Sequence, residues 1–203
     1  MSPCTRMAVA LTLVVAIGAA CAQGQETRQA FGIVLGRSIP TGDFHAAASG
    51  EGFDGGWTAG GRLTLERPNS RLALRVDASY IEHGANDQLK ADLTTALGQG
   101  SDESMTLLGV DASVVYRFLP ASRVAPSLFG GVGLWFVSIG VTSGSATNHN
   151  SAFKPALQLG GEVRYGSVFL EARYVAVAAM GGLPRATFFP VALGLRLGKG
   201  SSS

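Results

Sequence analysis

The chain has little of what most catalytic, metal-binding or nucleic-acid-binding proteins depend on. Its two cysteines, Cys4 and Cys21, both lie within the first 21 residues, so the rest of the chain has no disulfide framework. Histidine occurs three times, and a net charge of +2 gives no indication of a nucleic-acid partner. There is no P-loop, no GxSxG motif and no clustered His/Cys set suited to a metal ion. We therefore expect no cofactor, no metal site and no enzyme activity.

Long apolar runs are also missing, because none reaches the roughly 20 residues that a membrane-spanning helix needs. The apolar run at residues 7–18 follows Arg6 and precedes an A-x-A cleavage site at residues 20–22. This pattern predicts a secretory signal peptide over residues 1–22. Lipidation of Cys21 is the alternative, but Gly18 stands where lipoprotein signals usually place Leu, Val or Ile. We expect simple cleavage and export.

What the chain does have is period-2 alternation of apolar and polar residues. Eight segments show it and are predicted strands: 30–37, 56–66, 71–82, 105–118, 125–137, 153–165, 167–175 and 187–197. Long connections at 38–55, 83–102, 138–151 and 176–185 alternate with short turns near Pro68, Pro120 and Gly166. Long loops at one end and short turns at the other are typical of a barrel that crosses a bacterial outer membrane.

The charged residues of these strands fall mostly on one face. If these side chains point into the barrel, their positive and negative charges nearly cancel and can form ion pairs. On the outside of a soluble protein, they would give a surface with unusually few charges. A soluble secreted barrel or sandwich is the alternative. The predicted interior charge network comprises Arg62, Glu66, Arg75, Asp77, Asp111, Arg117, Glu162, Arg164, Glu171, Arg173 and Arg196.

Aromatic residues near the strand ends support the membrane alternative, because such barrels carry aromatic girdles at both interfaces. They are Tyr80, Tyr116, Phe118, Phe153, Tyr165, Tyr174 and Phe189. The predicted fold class is all-β: an eight-stranded antiparallel up-and-down transmembrane β-barrel. We assign the barrel domain to residues 23–198 and a C-terminal tail to residues 199–203.

Two short stretches carry a family resemblance: residues 39–44 (IPTGDF) after the first strand and residues 126–134 (PSLFGGVGL) in the fifth. With eight strands, a signal peptide and inward charges, the chain resembles the small outer-membrane β-barrel superfamily that includes the OmpA transmembrane domain and the OmpX/Ail group. Residues 194–197 (GLRL) end the last strand and are similar to the signal that the barrel assembly machinery reads. The resemblance implies a location in the cell outer membrane, contact with its lipid and lipopolysaccharide, and the barrel assembly machinery as a partner during biogenesis.

One constellation invites a catalytic interpretation. His149 and Ser151 are similar to the His-x-Ser pair of outer-membrane lipid A deacylases, which work beside a carboxylate. Glu162 is 11 residues from Ser151, about 35 Å along an extended strand, which is too far for a triad. His149 and Ser151 therefore remain weak catalytic candidates, and the composition of a polar loop is the favoured explanation for them.

Two features of the outward connections remain. His45 and His83 are predicted in outward loops. A metal ion could bind them adventitiously beside Asp43, Asp54, Asp87 or Asp92, but their spacing does not indicate a dedicated metal site.

Residues 88–97 have apolar side chains at helical spacing. This indicates a short amphipathic helix, either at the membrane interface or as a cap over the barrel mouth.

The leading functional hypothesis is a structural or surface-interaction barrel with a plugged polar lumen and long extracellular loops. A narrow porin-like channel for small solutes is one alternative, and a lipid A-modifying enzyme is another. No nucleic-acid partner is expected, and any extracellular ligand would be bound by the loops.

Overall fold

The computed structural model describes residues 27–45, 50, 52–98, 101–143, 146–179 and 185–197. The predicted signal peptide, with Cys4 and Cys21, and the predicted tail at 199–203 lie outside the described residues. Eight strands follow one another: β1 Arg28–Pro40, β2 Gly56–Glu66, β3 Leu72–Gly84, β4 Asp102–Arg117, β5 Val124–Ser143, β6 Ala146–Tyr165, β7 Val168–Val177 and β8 Ala186–Leu197. All pairings are antiparallel, and β1 also pairs with β8, which closes the barrel. The predicted fold class is confirmed.

Side chains alternate between the two faces of the barrel wall, and the outer face is apolar. Leu157 and Leu159, for example, are 64% and 66% exposed on the outside of β6. A contiguous apolar surface of this kind is unfavourable in water but is what a lipid bilayer requires. The predicted girdle residues are exposed on the same surface: Tyr80, Tyr116, Phe118, Phe153, Tyr165, Tyr174 and Phe189.

The three predicted short turns are confirmed at residues 67–71, 118–123 and 166–167. Asn69 and Gly166 have positive φ values of 57° and 60°, a conformation that Asn and Gly adopt more readily than other residues. Because short turns of outer-membrane barrels face the periplasm, we call this the periplasmic end. The opposite end, with the connections at 41–55, 85–101 and 178–185, is the outer end.

The long loop predicted at residues 138–151 is wrong. β5 continues to Ser143 and β6 begins at Ala146, so two residues separate the strands. The polar composition suggested a loop, but Val, Ile and Thr recur along β5 and favour an extended backbone. The Thr142 and Thr147 hydroxyls lie 3.2 Å apart across the hairpin.

The helix predicted in the second outer connection is present as α1, Asp87–Leu97. Asn86 caps its N-terminus, since its side chain accepts a hydrogen bond from the Leu89 N–H at 2.9 Å. Leu89 packs against the apolar cluster at the barrel mouth, as the cap interpretation requires. Within the described residues no helix is long and apolar enough to cross a membrane.

Candidate functional sites in the barrel interior and at the outer end

The barrel interior has two halves of opposite chemistry, and the periplasmic half holds the predicted charges. All eleven residues of that set lie on the inward face of their strands. Seven are buried: Arg62, Arg75, Asp77, Asp111, Arg117, Glu171 and Arg173. The other four, Glu66, Glu162, Arg164 and Arg196, are partly buried.

Glu171 on β7 is the centre of the ion-pair network. Its carboxylate pairs with Arg62, with Arg75 at 2.9 Å and with Arg173 at 3.7 Å. Asp77 bridges Arg62 and Arg75 at 3.3 and 2.7 Å. Because each acid faces more than one guanidinium, the buried charges compensate one another across the lumen, which is the condition for burying charge at acceptable cost.

Aromatic rings support the guanidinium groups of this network. Arg75 stacks over Phe129 at 3.6 Å and Arg62 stacks over Phe169 at 4.3 Å, measured from the guanidinium carbon to the ring centroid. The same rings lie against inward-facing glycines of the neighbouring strands. A Cβ at Gly160 would collide with the Phe129 ring, and one at Gly194 would collide with the Phe169 ring. The glycines thus leave the space that the rings occupy.

Arginine also dominates the periplasmic mouth of the lumen. Arg117 and Arg196 both pair with the Glu66 carboxylate. Arg117 also donates to the backbone carbonyls of Arg67 and Ser70, which ties the β2–β3 turn to the barrel wall. Arg164 has no carboxylate oxygen within 4.0 Å among the described residues.

The outer half of the interior is largely apolar, although His83 and Lys154 are also buried in it, and the sequence analysis did not predict this. A buried cluster fills it: Phe44, Phe53, Ile81, Met105, Leu107, Trp135, Val137, Ala156, Val175, Val177, Ala186 and Phe188. The Trp135 and Phe188 rings lie 5.5 Å apart at its centre. Where the halves meet, the Trp135 indole N–H donates to Asp111 at 2.9 Å. The sequence does contain a sign of this apolar half. In pairs such as Leu107-Leu108 and Phe188-Phe189, successive residues are both apolar, so both faces of the strand are apolar there.

Loop residues close the top of this cluster. Phe44 ends a single 3-10 turn at Gly42–Phe44 and is 4% exposed, and Phe53 packs on it with ring centroids 5.1 Å apart. Backbone hydrogen bonds from Phe53 N–H to Phe44 O and from Asp54 N–H to Gly84 O, at 3.1 and 2.8 Å, fix the segment to the rim. Aromatic side chains from the first outer connection therefore cover the barrel mouth.

His83 lies inside the rim, so the expectation that it belongs to an outward loop is wrong. β3 extends to Gly84, and its alternation turns His83 inward, where it is fully buried. Nδ1 is 2.9 Å from the Asp54 carbonyl, which can only accept, so Nδ1 carries the proton and Nε2 faces the Ser38 hydroxyl at 3.3 Å.

The remaining candidates for metal binding do not converge. His45 is exposed, and its Nδ1 donates to the Phe53 carbonyl at 3.2 Å. Asp87 and Asp92 lie on α1, and the Asp43 side chain is outside what the structure describes. The described residues contain no group of three His, Cys, Asp or Glu side chains arranged for a metal ion.

The weak catalytic candidates lie on the outer end of β6. His149 and Ser151 are exposed, and both are odd-numbered positions on the outward face of the strand. Glu162 is an even-numbered position of the same strand and points into the lumen, where it pairs with Arg62. The structure therefore does not bring the three residues together.

The β5–β6 hairpin rises above the apolar band. On the outward face, Phe136 and Phe153 are the last large apolar pair, with ring centroids 5.2 Å apart, and polar residues follow. Pairing between β6 and β7 begins at Ala156, so residues 146–153 pair with β5 on one side and with no described strand on the other. Eight residues of strand edge are about 26 Å long.

The sequence matches the family described as "Outer membrane protein beta-barrel domain" over residues 8–196. The chain belongs to this family. It is located in the outer membrane, where its apolar band contacts lipid. No curated protein matches the sequence.

Solved structures share the fold of this family member at low sequence identity. Ail of Yersinia pestis, in complex with the heparin analogue sucrose octasulfate, is 16% identical with a TM-score of 0.55, and the match covers 85% of this chain and 100% of Ail. Neisserial surface protein A is 16% identical with a TM-score of 0.53, covering 86% and 100%. A major outer membrane protein from Thermus thermophilus is 14% identical with a TM-score of 0.54, covering 83% and 99%.

Proposed function

We propose that this protein is a non-enzymatic surface-interaction barrel that binds an extended segment of an extracellular polypeptide along the edge of β6 that has no described neighbour. The carrying observation is the strand edge at residues 146–153, which stands above the apolar band without a described neighbour on one side. An exposed strand edge presents N–H and C=O groups that add a further strand readily.

One hydrogen bond shows in which direction the backbone N–H and C=O groups along the edge of β6 point. The Ala178 N–H donates to the Pro155 carbonyl at 3.0 Å, so the backbone groups of residue 155 point away from β5. Because direction alternates along a strand, the groups of His149, Ser151 and Phe153 point the same way. These three residues offer the donors and acceptors that an added strand would use.

Charge favours a polypeptide over a sulfated polysaccharide as the partner. The outer-end residues that the structure describes include six acids, Asp54, Glu82, Asp87, Asp92, Asp102 and Glu103, and three exposed or rim cations, Arg37, Lys90 and Arg185. A polyanion of the kind in the Ail complex would be repelled by that excess of negative charge. The edge side chains from Thr147 to Ser151 are polar and include no acid, lysine or arginine, as backbone-directed pairing allows.

The proposal includes a plugged lumen. The apolar cluster beneath Phe44 and Phe53 supports it, because its central side chains are fully buried. We expect no discrete openings in planar lipid bilayers containing the purified full chain. Defined single-channel steps would instead support the porin-like alternative.

The test uses the full chain in lipid nanodiscs and a displayed library of ten-residue peptides. We expect enriched peptides to slow hydrogen exchange at the amides of His149, Ser151 and Phe153. Ser151→Pro removes one edge donor without touching a β5 pairing, as the native Pro155 does, and should abolish binding. Ser151→Ala keeps the backbone donor and should bind normally.

Two outcomes contradict the proposal. One is peptide binding that Ser151→Pro leaves unchanged, and the other is a library that yields no peptide protecting these amides. Ser151→Ala also separates the enzyme alternative, since a lipid A deacylase that uses this serine would lose its effect on lipid A acylation in cells.

A further inference from the structure

The periplasmic half of the lumen contains a vestibule whose arginine-rich lining has no part in the proposed surface interaction. The vestibule has a cavity volume of about 40 Å³, and residues near the periplasmic strand ends line it, among them Ala30, Glu66, Arg117, Arg164 and Arg196. The apolar cluster and the lid of Phe44 and Phe53 lie at the other end of the barrel. Solutes therefore reach the vestibule from the periplasm.

Cations outnumber carboxylates on its wall, although Arg62 and Arg75 also pair with Glu171 and Asp77, which are not part of the lining. The lining contains five arginines, Arg62, Arg75, Arg117, Arg164 and Arg196, and two glutamates, Glu66 and Glu162. Glu66 is shared by Arg117 and Arg196, and Glu162 lies closest to Arg62 and 3.8 Å from Arg75. Arg164 is the cation that these acids leave without an ion pair among the described residues.

Buried donors on the same wall are also unused. The Nη2 atom of Arg75 and the Nε atom of Arg117 are buried without a hydrogen-bond partner in the described part of the chain. Arg75 is 2% exposed, and its guanidinium lies over the Phe129 ring while the residue lines the vestibule. Buried guanidinium N–H groups without acceptors are costly, so an acceptor in the vestibule is stabilised by these two enclosed groups once a small shift of the side chains brings them into reach.

The rim around the vestibule is positive as well. Arg28, Arg67, Arg71 and Arg123 are exposed at the periplasmic end, and the described residues there include no exposed acid. A cleft with one sign of charge at its mouth and low-dielectric walls concentrates ions of the opposite sign. The rim and the wall therefore favour the same class of solute.

We propose that the periplasmic vestibule binds an oxyanion, a phosphate or carboxylate group carried by a small periplasmic molecule. Arg164 is its principal ligand, and the free guanidinium donors of Arg75 and Arg117 contribute. Guanidinium groups suit this role because their forked donors match the paired oxygens of both groups. Since the outer end is closed by the apolar cluster, the vestibule is a binding site and not an entrance to a pore.

The experiment titrates the full chain in nanodiscs with inorganic phosphate and, in a second arm, with succinate, at constant ionic strength. Binding is followed by calorimetry and by the NMR shifts of the arginine Nε–H groups. We expect saturable binding with a Kd of about 1 mM or below in at least one arm. A response to phosphate alone identifies a phosphate site, and a response to succinate alone identifies a carboxylate site.

Arg164→Gln should raise the Kd about tenfold, since it removes the unpaired cation. Arg123→Gln is the matched control: Arg123 is at the same end, but it lies outside the barrel over the Tyr165 ring, 4.7 Å from its centroid, and the Kd should change less than about twofold. Folding of each variant is checked by heat-modifiable gel mobility. If Arg164→Gln does not fold, Arg164→Lys keeps the charge without the fork and should weaken binding about threefold.

Three results would overturn the proposal. They are the lack of saturation below about 50 mM in both arms, binding that Arg164→Gln leaves unchanged, and an equal loss in Arg123→Gln. The last would mean that the ions respond to the general surface charge. Peptide binding at the outer edge is measured separately, so failure of either proposal leaves the other intact.

Discussion

The two halves of the barrel interior solve one packing problem by opposite means. In the periplasmic half, Arg62, Arg75 and Glu171 compensate one another through ion pairs and stacked rings. In the outer half, Trp135 and Phe188 pack with aliphatic side chains as in the core of a soluble protein. An ion pair is stable only when its partner lies in a fixed position, whereas apolar packing requires only that the side chains fill the available volume. A substitution that keeps the side-chain volume but removes the charge, or the reverse, should therefore affect the two halves differently.

The largest effect is expected from Glu171→Gln, which conserves shape and removes charge. It leaves Arg62, Arg75 and Arg173 facing a neutral amide in a buried site. Loss of one partner from a buried ion pair costs about 3–5 kcal/mol, and we expect a decrease of about 4 kcal/mol in the free energy of unfolding. The measurement is urea unfolding in lipid vesicles, followed by tryptophan fluorescence.

Glu82→Gln is the control for this substitution. Glu82 is exposed on the outside of β3, where it accepts a hydrogen bond from the Tyr80 hydroxyl at 3.1 Å. The change in stability should stay within about 0.5 kcal/mol. Equal effects of the two substitutions would mean that the lumen is hydrated enough to screen its charges.

Phe188→Ala tests the apolar half. The ring is fully buried and lies between Trp135, His83 and Phe44, with centroids 5.5, 6.0 and 6.5 Å away. Its removal leaves a cavity and should destabilise the barrel by about 3 kcal/mol, with a shift of the Trp135 emission. Phe189→Ala, on the lipid-facing side, should cost about 1–2 kcal/mol without that shift. An unchanged Trp135 spectrum in Phe188→Ala would contradict the packing described.

The two halves also differ in how much of their structure could be predicted from the sequence. Period-2 alternation predicted the strands and the outward face, because a side chain in a closed barrel has two possible directions. The apolar outer half escaped prediction, since Leu107 and Leu108 in succession do not reveal which one fills the lumen. The β5–β6 hairpin was missed because Ser, Thr and Asn are typical of loops, although the pairing of β5 with β6 extends both strands. Arg164 was assigned to the network from its face alone, and the finding that it has no ion pair among the described residues depends on distances between strands.

A smaller effect is expected where glycine accommodates a ring. A Cβ at Gly160 would collide with Phe129 and approach the Ala172 carbonyl to 2.6 Å, so Gly160→Ala should cost about 2 kcal/mol by displacing the ring beneath Arg75. At the adjacent Gly161 the nearest atom, on Leu128, is 3.5 Å away. Gly161→Ala should therefore change the urea midpoint little. If the two variants unfold at the same urea concentration, the ring does not depend on that space.

The smallest effect is expected at the cap of the outer end, where the barrel and its lid can be separated. Asn86 accepts from the Leu89 N–H and donates to the Gly50 carbonyl, both at 2.9 Å, so it joins the start of α1 to the first outer connection. Asn86→Ala should destabilise α1 by about 1 kcal/mol, which hydrogen exchange at the helix amides would report. Gln88→Ala, on the exposed side of α1, should leave those rates nearly unchanged. Because the strands close the barrel without this helix, the free energy of global unfolding should be nearly unchanged. A large decrease in that free energy would mean that the lid and the apolar half unfold as one cooperative unit.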